Sequence, residues 1–229
     1  MIRKGNARDA ETIASIKIDT WRKTYLNIFP DSILDNLDVK QETQRYLQNL
    51  KDRQVLVYEE NGKVIAYCYF GERKQEEFYQ YSGEVFALYV KSDCQKRGVG
   101  TELLKEAIKQ LSQTHSHILL WCAKENTRAI SFYKKNGLDS IGEKIENIGG
   151  KNVEKVALGI SVEKVYNLKK SANYIENEEN IAIYTNPDLI FLKNETCTWF
   201  KQIIQHKETK NVPQKFIDYL IKKDVIQWV

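Results

Sequence analysis

A glycine-rich segment at residues 95–101 places the strongest constraint on what this 229-residue chain can fold into. It follows an almost wholly apolar stretch, residues 84–90, which is typical of a strand covered on both faces. After it, apolar residues recur at helical spacing over residues 99–111, which predicts an amphipathic helix. A helix N-terminus offers unpaired amides, and glycines let the backbone approach a phosphate closely. The segment therefore predicts a phosphate-binding turn between a strand and a helix.

Two widespread phosphate motifs do not match this segment. The Walker pattern needs Gly-Lys followed by Ser or Thr, whereas Gly100 is followed directly by Thr101. The dinucleotide fingerprint needs a third small residue at the position of Leu103. Many strand-to-helix turns use glycine only to turn, so the segment alone leaves a purely structural role open.

Hydrophobic periodicity over residues 1–160 predicts an α/β (α+β) domain. The predicted order is β-α-α-β-β-β-α-β-α-β-β, which gives a mixed sheet with helices on both faces. The second helix is predicted to begin after Pro30 and to run to Leu50. Asn61-Gly62 predicts the turn of a β-hairpin.

Composition and charge narrow the class of protein. A hydrophobic share of 42% is enough for a core, and a dispersed net charge of +4 is too small for a nucleic-acid binder. The four cysteines include no CxxC pair, which excludes a zinc ribbon and favours free thiols in a reducing compartment. No stretch approaches about 18 apolar residues and no signal-peptide core is present, so we expect a cytoplasmic protein without a membrane span. We also expect no bound metal.

The motifs taken together resemble the GNAT family of N-acetyltransferases over about residues 1–160. The resemblance rests on a strand, Gln-x-x-Gly-x-Gly, a helix, a strand and then Asn126-x-x-Ala129-x-x-Phe132-Tyr133-x-x-x-Gly137. It implies the GNAT fold and direct transfer of the acetyl group of acetyl-CoA, as cosubstrate, to a primary amine. The acceptor would be a small molecule, a polyamine-like compound, or a peptide or protein amine.

The resemblance also implies which residues bind the cofactor. Backbone amides of the glycine-rich segment would hold the pyrophosphate of CoA, namely those of Gln95, Lys96, Arg97, Gly98, Val99, Gly100 and Thr101. The strand that carries Leu88, Tyr89 and Val90 would follow the pantetheine arm, splayed from the next strand, with main-chain groups of Leu88 and Val90 free to meet it. Asn126 would hydrogen-bond the cofactor at the rim of the cleft.

Acetyl transfer to an amine needs a base and an acid. An alkylamine has a pKa near about 10.4, so its deprotonation at pH 7 costs about 4.6 kcal/mol, and the departing thiolate then needs a proton. Tyr133 matches the tyrosine that the family places beside the sulfur, which implies a general acid. Glu84, at the start of the predicted central strand, is the candidate base. The alternatives are a tyrosine that only packs beside Phe132 and an ordinary surface glutamate.

Acceptor-binding residues are expected around the connection between the first two helices. Trp21 and Tyr25 are the predicted substrate-binding residues. Three acids near them, Asp31, Asp35 and Asp38, would suit a cationic amine, although such acids are more often helix-start and solvated residues.

Residues 173–229 lie outside the acetyltransferase pattern and predict a small accessory α+β domain after a linker at residues 161–172. The order of strands and helices, with Leu192-x-Asn194-Glu195-Thr196, resembles the PqqD-like winged-helix modules that bind leader peptides, which implies a peptide partner. The alternatives are an accessory domain that packs on the catalytic one or forms a homodimer, and a DNA-binding winged helix, which the nearly balanced charge disfavours.

Two classes of function therefore compete. The first is an acetyltransferase, and the second is a module with little turnover that senses acetyl-CoA or an amine and acts through the C-terminal domain. Tyr133 and the glycine-rich segment favour the enzyme, because a sensor has no need of a general acid.

Overall fold

The computed structural model of the chain describes residues 1–74, 77–78, 80–162, 166–169, 171–176, 180–185, 188–205 and 211–228. The chain divides into two compact units, Met1–Val162 and Glu163–Val229. Each unit has apolar clusters of its own.

The first unit contains a seven-stranded sheet and the helices that pack on it. Its strands are β1 (Ile2–Lys4), β2 (Gln54–Glu60), β3 (Lys63–Glu72), β4 (Gly83–Val90), β5 (His117–Ala123), β6 (Asp139–Ile148) and β7 (Lys151–Ser161). Its helices are α1 (Ala10–Thr24), α2 (Asp31–Asp35), α3 (Val39–Asn49), α4 (Val99–Leu111) and α5 (Thr127–Lys135), with 3-10 turns at Ala7–Asp9 and Ser92–Cys94.

The sheet is mixed, as the sequence predicts. Its strand order is β1-β2-β3-β4-β5-β7-β6, and β4 and β5 are parallel whereas the other neighbours are antiparallel. Successive side chains of a strand point to opposite faces. Accordingly, Cys68 of β3 packs in the cluster with α4, while Tyr67 and Tyr69 pack in the cluster with α1 and α3. Helices on both faces are thereby confirmed.

A β-bulge in β4 separates the two central strands. Tyr69 pairs with Ala87 and Phe70 pairs with Val85, so Phe86 is an extra residue in β4. The pairing of β4 with β5 ends after Glu84, although both strands continue. Because bulges bend a strand and increase its twist, the sheet opens between β4 and β5 beyond this point.

The single helix predicted after Pro30 is two helices, α2 and α3. Asp38 between them has an extended backbone (φ −119°, ψ 131°), and its carboxylate accepts a hydrogen bond of 2.8 Å from the Gln41 amide. This is the geometry of an N-cap, which begins a new helix rather than continuing the old one.

The second unit is a small α+β structure. It has strands β8 (Tyr166–Leu168), β9 (Asn173–Glu176), β10 (Asn180–Tyr184), β11 (Leu189–Lys193) and β12 (Ile226–Trp228), and helices α6 (Glu195–Ile204) and α7 (Gln214–Lys222). The strands β9, β10 and β11 form an antiparallel sheet, and β8 pairs with β12.

Part of the segment predicted as a linker is a strand. Residues 166–168 pair with 226–228, and Ala172 is buried in the core of the second unit. The pairing joins segments about sixty positions apart, so local composition gives no sign of it. Residues 163–165 and 170 of the predicted linker lie outside the described residues, as do residues 186–187 of the motif that precedes β11.

Within the described ranges, no helix is both long enough and apolar enough to cross a membrane.

Candidate active site

A cavity of about 530 Å³ lies in the first unit where β4 and β5 part. Residues 85–90 of β4 and 120–122 of β5 form two of its walls. The glycine-rich segment, α5 and the C-terminal end of α1 supply the rest of the lining. The pocket therefore lies beside the bulge at Phe86, and residues from several helices and strands form its walls.

The N-terminus of α4 borders this cavity without a side-chain cap. Gly98 precedes the helix in the left-handed region (φ 86°), which favours glycine. The first intrahelical bond runs from the Glu102 amide to the Gly98 carbonyl at 3.0 Å, so the amides of Val99, Gly100 and Thr101 have no partner within the helix. Free amides at the positive end of a helix dipole are suited to a phosphate group.

Six of the seven residues predicted to hold the pyrophosphate line the cavity, and Arg97 is the exception. The exposed guanidinium of Arg97 lies 2.6 Å from the Glu60 carboxylate. Lys96 lines the cavity with an unusual left-handed backbone (φ 62°), which helps turn the chain towards Gly98.

Gln95 has a bridging role that the sequence does not reveal. Its Nε2 donates to the Val90 carbonyl at 3.0 Å, and its Oε1 accepts from the Arg128 guanidinium at 2.8 Å. The side chain therefore connects the end of β4 to α5. The Val90 carbonyl, one of the main-chain groups predicted to be free, already has this partner.

Asn126 lines the cavity and also caps α5. Its Oδ1 accepts a hydrogen bond of 3.1 Å from the Ala129 amide. The carboxamide oxygen is thus used within the protein, which leaves the Nδ2 hydrogens as its donors towards a ligand.

Tyr133 lines the cavity from α5. Its ring lies edge-on to Phe132, with centroids 5.2 Å apart. Burial, and then the neighbouring Cys122 and Tyr89, raise the pKa of Tyr133 well above its usual value of 10.0. A phenol carries its proton at neutral pH with or without this shift, so the hydroxyl is a donor in the cavity, while the raised pKa makes it a weaker acid.

Glu84 is a buried, ion-paired carboxylate rather than a surface glutamate. It is 8% exposed, and its Oε2 lies 3.4 Å from the Nε of the fully buried Arg73. Burial raises the pKa of Glu84, whereas Arg73, Arg53 and Lys144 oppose the rise. Glu84 comes directly before the part of β4 that lines the cavity and is not itself among the described lining residues.

The two predicted substrate-binding residues belong to an aromatic cluster at the end of α1. Tyr25 and Phe29 are stacked with centroids 4.2 Å apart, and Trp21 lies edge-on to both. The Trp21 indole donates to the Tyr89 hydroxyl at 2.8 Å, so the side chain of Tyr89 faces α1 rather than α4. Of the two, Tyr25 lines the cavity.

The three acids proposed as an acidic rim are exposed and do not line the cavity. Asp38 is used as the N-cap of α3. Sequence reasoning also missed lining residues, among them Thr20, Thr24, Phe86 and Trp121. Thr20 and Thr24 are four positions apart on α1 and so share one face, a signal that the sequence does contain. Phe86 lines the cavity and is the extra residue of the β4 bulge, and the sequence gives no signal for this bulge.

This chain belongs to the Acetyltransferase (GNAT) family, whose pattern it matches over residues 18–138, more than half of its length. It is 28% identical over 159 residues to the uncharacterized N-acetyltransferase YuaI of Bacillus subtilis, covering 69% of this chain and 91% of that protein. It is 23% identical to the spermidine N(1)-acetyltransferase of Thermoplasma acidophilum, covering 65% of this chain and 91% of that one.

Solved structures share the fold of the first unit. The PaiA N-acetyltransferase of Thermoplasma acidophilum in complex with coenzyme A superposes with a TM-score of 0.53 at 20% identity, covering 70% of this chain and 98% of that one. The protein is thus an N-acetyltransferase, and acetyltransferases of this family use acetyl-CoA as the acetyl donor. Among the residues that the structure describes, no group of three or more His, Cys, Asp or Glu side chains is arranged to hold a metal ion.

The raised pKa of Glu84 predicts how its replacement changes stability with pH. The folded chain binds this proton more tightly than the unfolded chain, so Glu84 lowers the free energy of unfolding as pH rises from 4.5 through the raised pKa. A Glu84→Gln variant stays neutral, so its stability relative to the wild type should increase over that window. Urea unfolding at successive pH values measures the difference.

The exposed Glu125→Gln serves as the control for the loss of one carboxylate outside a buried site. A difference between Glu84→Gln and the wild type that stays flat, or falls as pH rises, would contradict the raised pKa.

Proposed function

We propose that the chain transfers the acetyl group of acetyl-CoA to a primary amine by direct attack, with both substrates bound in the cavity between β4 and β5. The observation that supports this most is the combination of an uncapped α4 N-terminus and Tyr133 in one cavity. Bound acetyl-CoA supplies an activated thioester, and the chain supplies its position and the proton transfers.

The pyrophosphate is held by the first amides of α4. Val99, Gly100 and Thr101 offer N–H groups without helical partners, and Lys96 and Arg128 place positive charge in the lining. A Cβ at Gly100 would lie 3.4 Å from the Phe132 ring, which is tight, so a glycine here leaves room beside α5.

The pantetheine arm follows β4 beyond the bulge. This edge of β4 has lost its pairing with β5 after Glu84, so main-chain groups around Leu88 are available to a ligand. A backbone amide there would donate to the thioester carbonyl and stabilise the negative charge that develops on its oxygen. Asn126 adds an Nδ2 donor from the start of α5.

Two residues move the protons. Tyr133 donates its hydroxyl proton to the departing sulfur. Glu84 takes the proton of the amine through intervening water, because Glu84 is not among the described lining residues and those residues include no carboxylate or imidazole. The burial that raises the pKa of Glu84 makes its carboxylate a stronger base.

Acetyl-CoA should stabilise the protein, and Gly98→Ala should weaken that effect. Saturation at about 100 times the dissociation constant adds about 2.7 kcal/mol, roughly 5–10 °C in Tm for a chain of this size. A Cβ at Gly98 strains the left-handed backbone and turns the α4 amides, so we expect about tenfold weaker binding of acetyl-CoA by calorimetry.

Gly62→Ala is the matched control, because Gly62 also has a positive φ (71°) and lies in the β2–β3 turn. Both variants should lose roughly 1–2 kcal/mol of stability from the same strain. Equal loss of acetyl-CoA affinity in both would place the binding site elsewhere.

Tyr133→Phe should retain acetyl-CoA binding and lose turnover. The ring still packs beside Phe132, whereas the proton donor is gone, so we expect kcat to fall about 100-fold with an unchanged thermal shift. A thiol-trapping assay of CoA release measures the rate. Normal turnover in this variant would rule out Tyr133 as the acid. A wild type that binds acetyl-CoA but acetylates no amine in a broad panel would support the sensing alternative.

We also propose that the second unit binds a peptide on the outer face of its three-stranded sheet. Ile175, Ala182 and Phe191 lie in one row across β9, β10 and β11, and Ile175 and Phe191 are 64% and 67% exposed. Tyr184 and Leu189 extend this apolar row. A contiguous apolar face of this kind is typical of an interaction site.

Phe191→Ser should abolish binding of peptides selected from an apolar peptide library, because it removes the centre of this face. Lys193→Ser, on the same strand and also exposed, should bind them normally. Fluorescence anisotropy measures the affinity. A protein that binds no peptide and dimerises by light scattering, with dimerisation lost in Phe191→Ser, would assign the face to a homodimer.

A further inference from the structure

We propose that the acceptor is a small amino carboxylate, meaning a primary amine with a carboxylate close to it, rather than a polyamine. This rests on the proposed function, because it concerns the second substrate of the same cavity. The acceptor side of the cavity is defined as Thr20, Tyr25, Phe86, Tyr89 and Trp121.

The acceptor side belongs to the face of the sheet that packs against α1. Phe86 and Tyr89 contact the cluster with α1 and α3. Trp121 alternates along β5 with Leu120 and Cys122, which belong to the opposite cluster with α4. Because α4 and α5 form the CoA side, the acceptor amine approaches from the α1 face.

The acceptor side has no negative charge for a second ammonium group. Its residues are aromatic or hydroxyl-bearing, and no Asp or Glu occurs among the described residues that line the whole cavity. A polyamine would have to lose water from an additional cation without gaining a carboxylate partner, which is unfavourable. An acceptor with a single amine avoids this cost.

Two aromatic rings of the acceptor side already have a protein cation on one face. The Arg53 guanidinium lies 4.0 Å from the centroid of the Phe86 ring, and the Lys144 ammonium lies 4.2 Å from the centroid of the Trp121 ring. Cation–π attraction on these faces is therefore taken up by the protein itself. Both cations also repel a second ammonium and attract a carboxylate.

These positive charges are only partly balanced. Glu84, the buried carboxylate nearby, is paired with Arg73 and also interacts electrostatically with Arg53 and Lys144, so one carboxylate faces three cations. For Arg53, the structure gives no carboxylate within 4.0 Å among the residues it describes. A carboxylate on the acceptor would therefore meet a favourable field.

The ion pairs of Lys144 with its acidic neighbours are long. Its ammonium lies 3.8 Å from the Glu77 carboxylate and 4.0 Å from that of Glu146, which are long distances for ion pairs. Glu146 has a closer partner in Lys155, at 2.8 Å. Lys144 thus has the capacity to interact with a further anion.

The Trp121 indole also lacks a hydrogen-bond acceptor in the part of the chain that the structure describes. Its indole Nε1 is buried and has no hydrogen-bond partner among the described residues. An indole nitrogen only donates, so an ammonium does not satisfy it and a carboxylate oxygen does. The Thr20 hydroxyl is likewise buried, 5% exposed and unpartnered within the described chain, and a hydroxyl is able to bond either an amine or a carboxylate.

Contacts between two loops limit the size of the acceptor. The Lys151 ammonium donates to the Asn27 carbonyl at 2.7 Å, which joins the β6–β7 hairpin to the α1–α2 connection. At the hairpin tip, a Cβ on Gly149 would lie 2.7 Å from Ile33, so these segments are in close contact. This closure beside the aromatic cluster of α1 favours a small molecule over an amine on a folded protein.

The experiment compares matched acceptors. The full-length protein is assayed with acetyl-CoA and the standard amino acids, and the best of them is compared with its amide, its decarboxylated amine and spermidine. With kcat/KM expressed per free amine, the amino acid should exceed each of the other three by about tenfold. Spermidine or the decarboxylated amine matching the amino acid would overturn the proposal.

Variants of Trp121, and of the Lys144 that lies over its ring, test the cause of the preference for a carboxylate. Lys144→Met should reduce the preference for the amino acid over its decarboxylated amine about tenfold, and Lys144→Arg should preserve it. Trp121→Phe keeps the ring but removes Nε1, and should also reduce the preference. Lys63→Met, at an exposed lysine that begins β3, is the matched control and should change nothing. An unchanged preference in both Lys144→Met and Trp121→Phe would overturn the assignment.

The two proposals fail in different ways. If acetyl-CoA raises the Tm but no amine is acetylated, the transferase proposal and the acceptor assignment fail together. If spermidine is acetylated and no amino carboxylate is, only the acceptor assignment fails.

Discussion

The site depends on one interruption of backbone hydrogen bonding. In a continuous sheet, β4 and β5 would use their facing amides and carbonyls on each other, and no ligand could enter. The extra residue Phe86 ends that pairing after Glu84. The cavity therefore arises from a local defect in an otherwise regular mixed sheet, and the neighbouring elements are arranged around it.

Beyond the bulge, the alternation of β4 side chains divides the site into two environments. Leu88 and Val90 face the cluster with α4 and α5, where the uncapped helix terminus lies. Tyr89 faces α1, where its hydroxyl accepts a hydrogen bond from Trp21. One strand thus separates an anion-binding side from an aromatic side, and its exposed main-chain edge lies between them. A substrate with a charged tail and a second substrate of different chemistry can meet there.

Much of this arrangement is predictable because its signals are local. The apolar strand, the glycine-rich segment and the following amphipathic helix occur within thirty residues, and the GNAT resemblance and the mixed sheet built on them are confirmed. The unpredicted features depend on side-chain geometry or on distant partners. Arg73 meets Glu84 across the β3–β4 hairpin, and Gln95 bonds the nearby Val90 carbonyl and the more distant Arg128. The pairing of β8 with β12 joins segments about sixty positions apart. The break at Asp38 has a local cause, because Asp is a preferred N-cap residue and its carboxylate accepts from the Gln41 amide.

The Gln95 side chain has a consequence for the energetics of binding. It joins the last carbonyl of β4 to Arg128 on α5, so the strand and the helix on either side of the cavity mouth are connected through one amide group. The width of the mouth is then fixed by protein–protein hydrogen bonds before any ligand arrives. A ligand that enters has fewer backbone and side-chain motions to arrest, so less of its interaction energy is offset by lost conformational entropy. The glycine-rich segment is in this sense a preorganised receptor, and Gln95 is the side chain that ties it to β4 and α5.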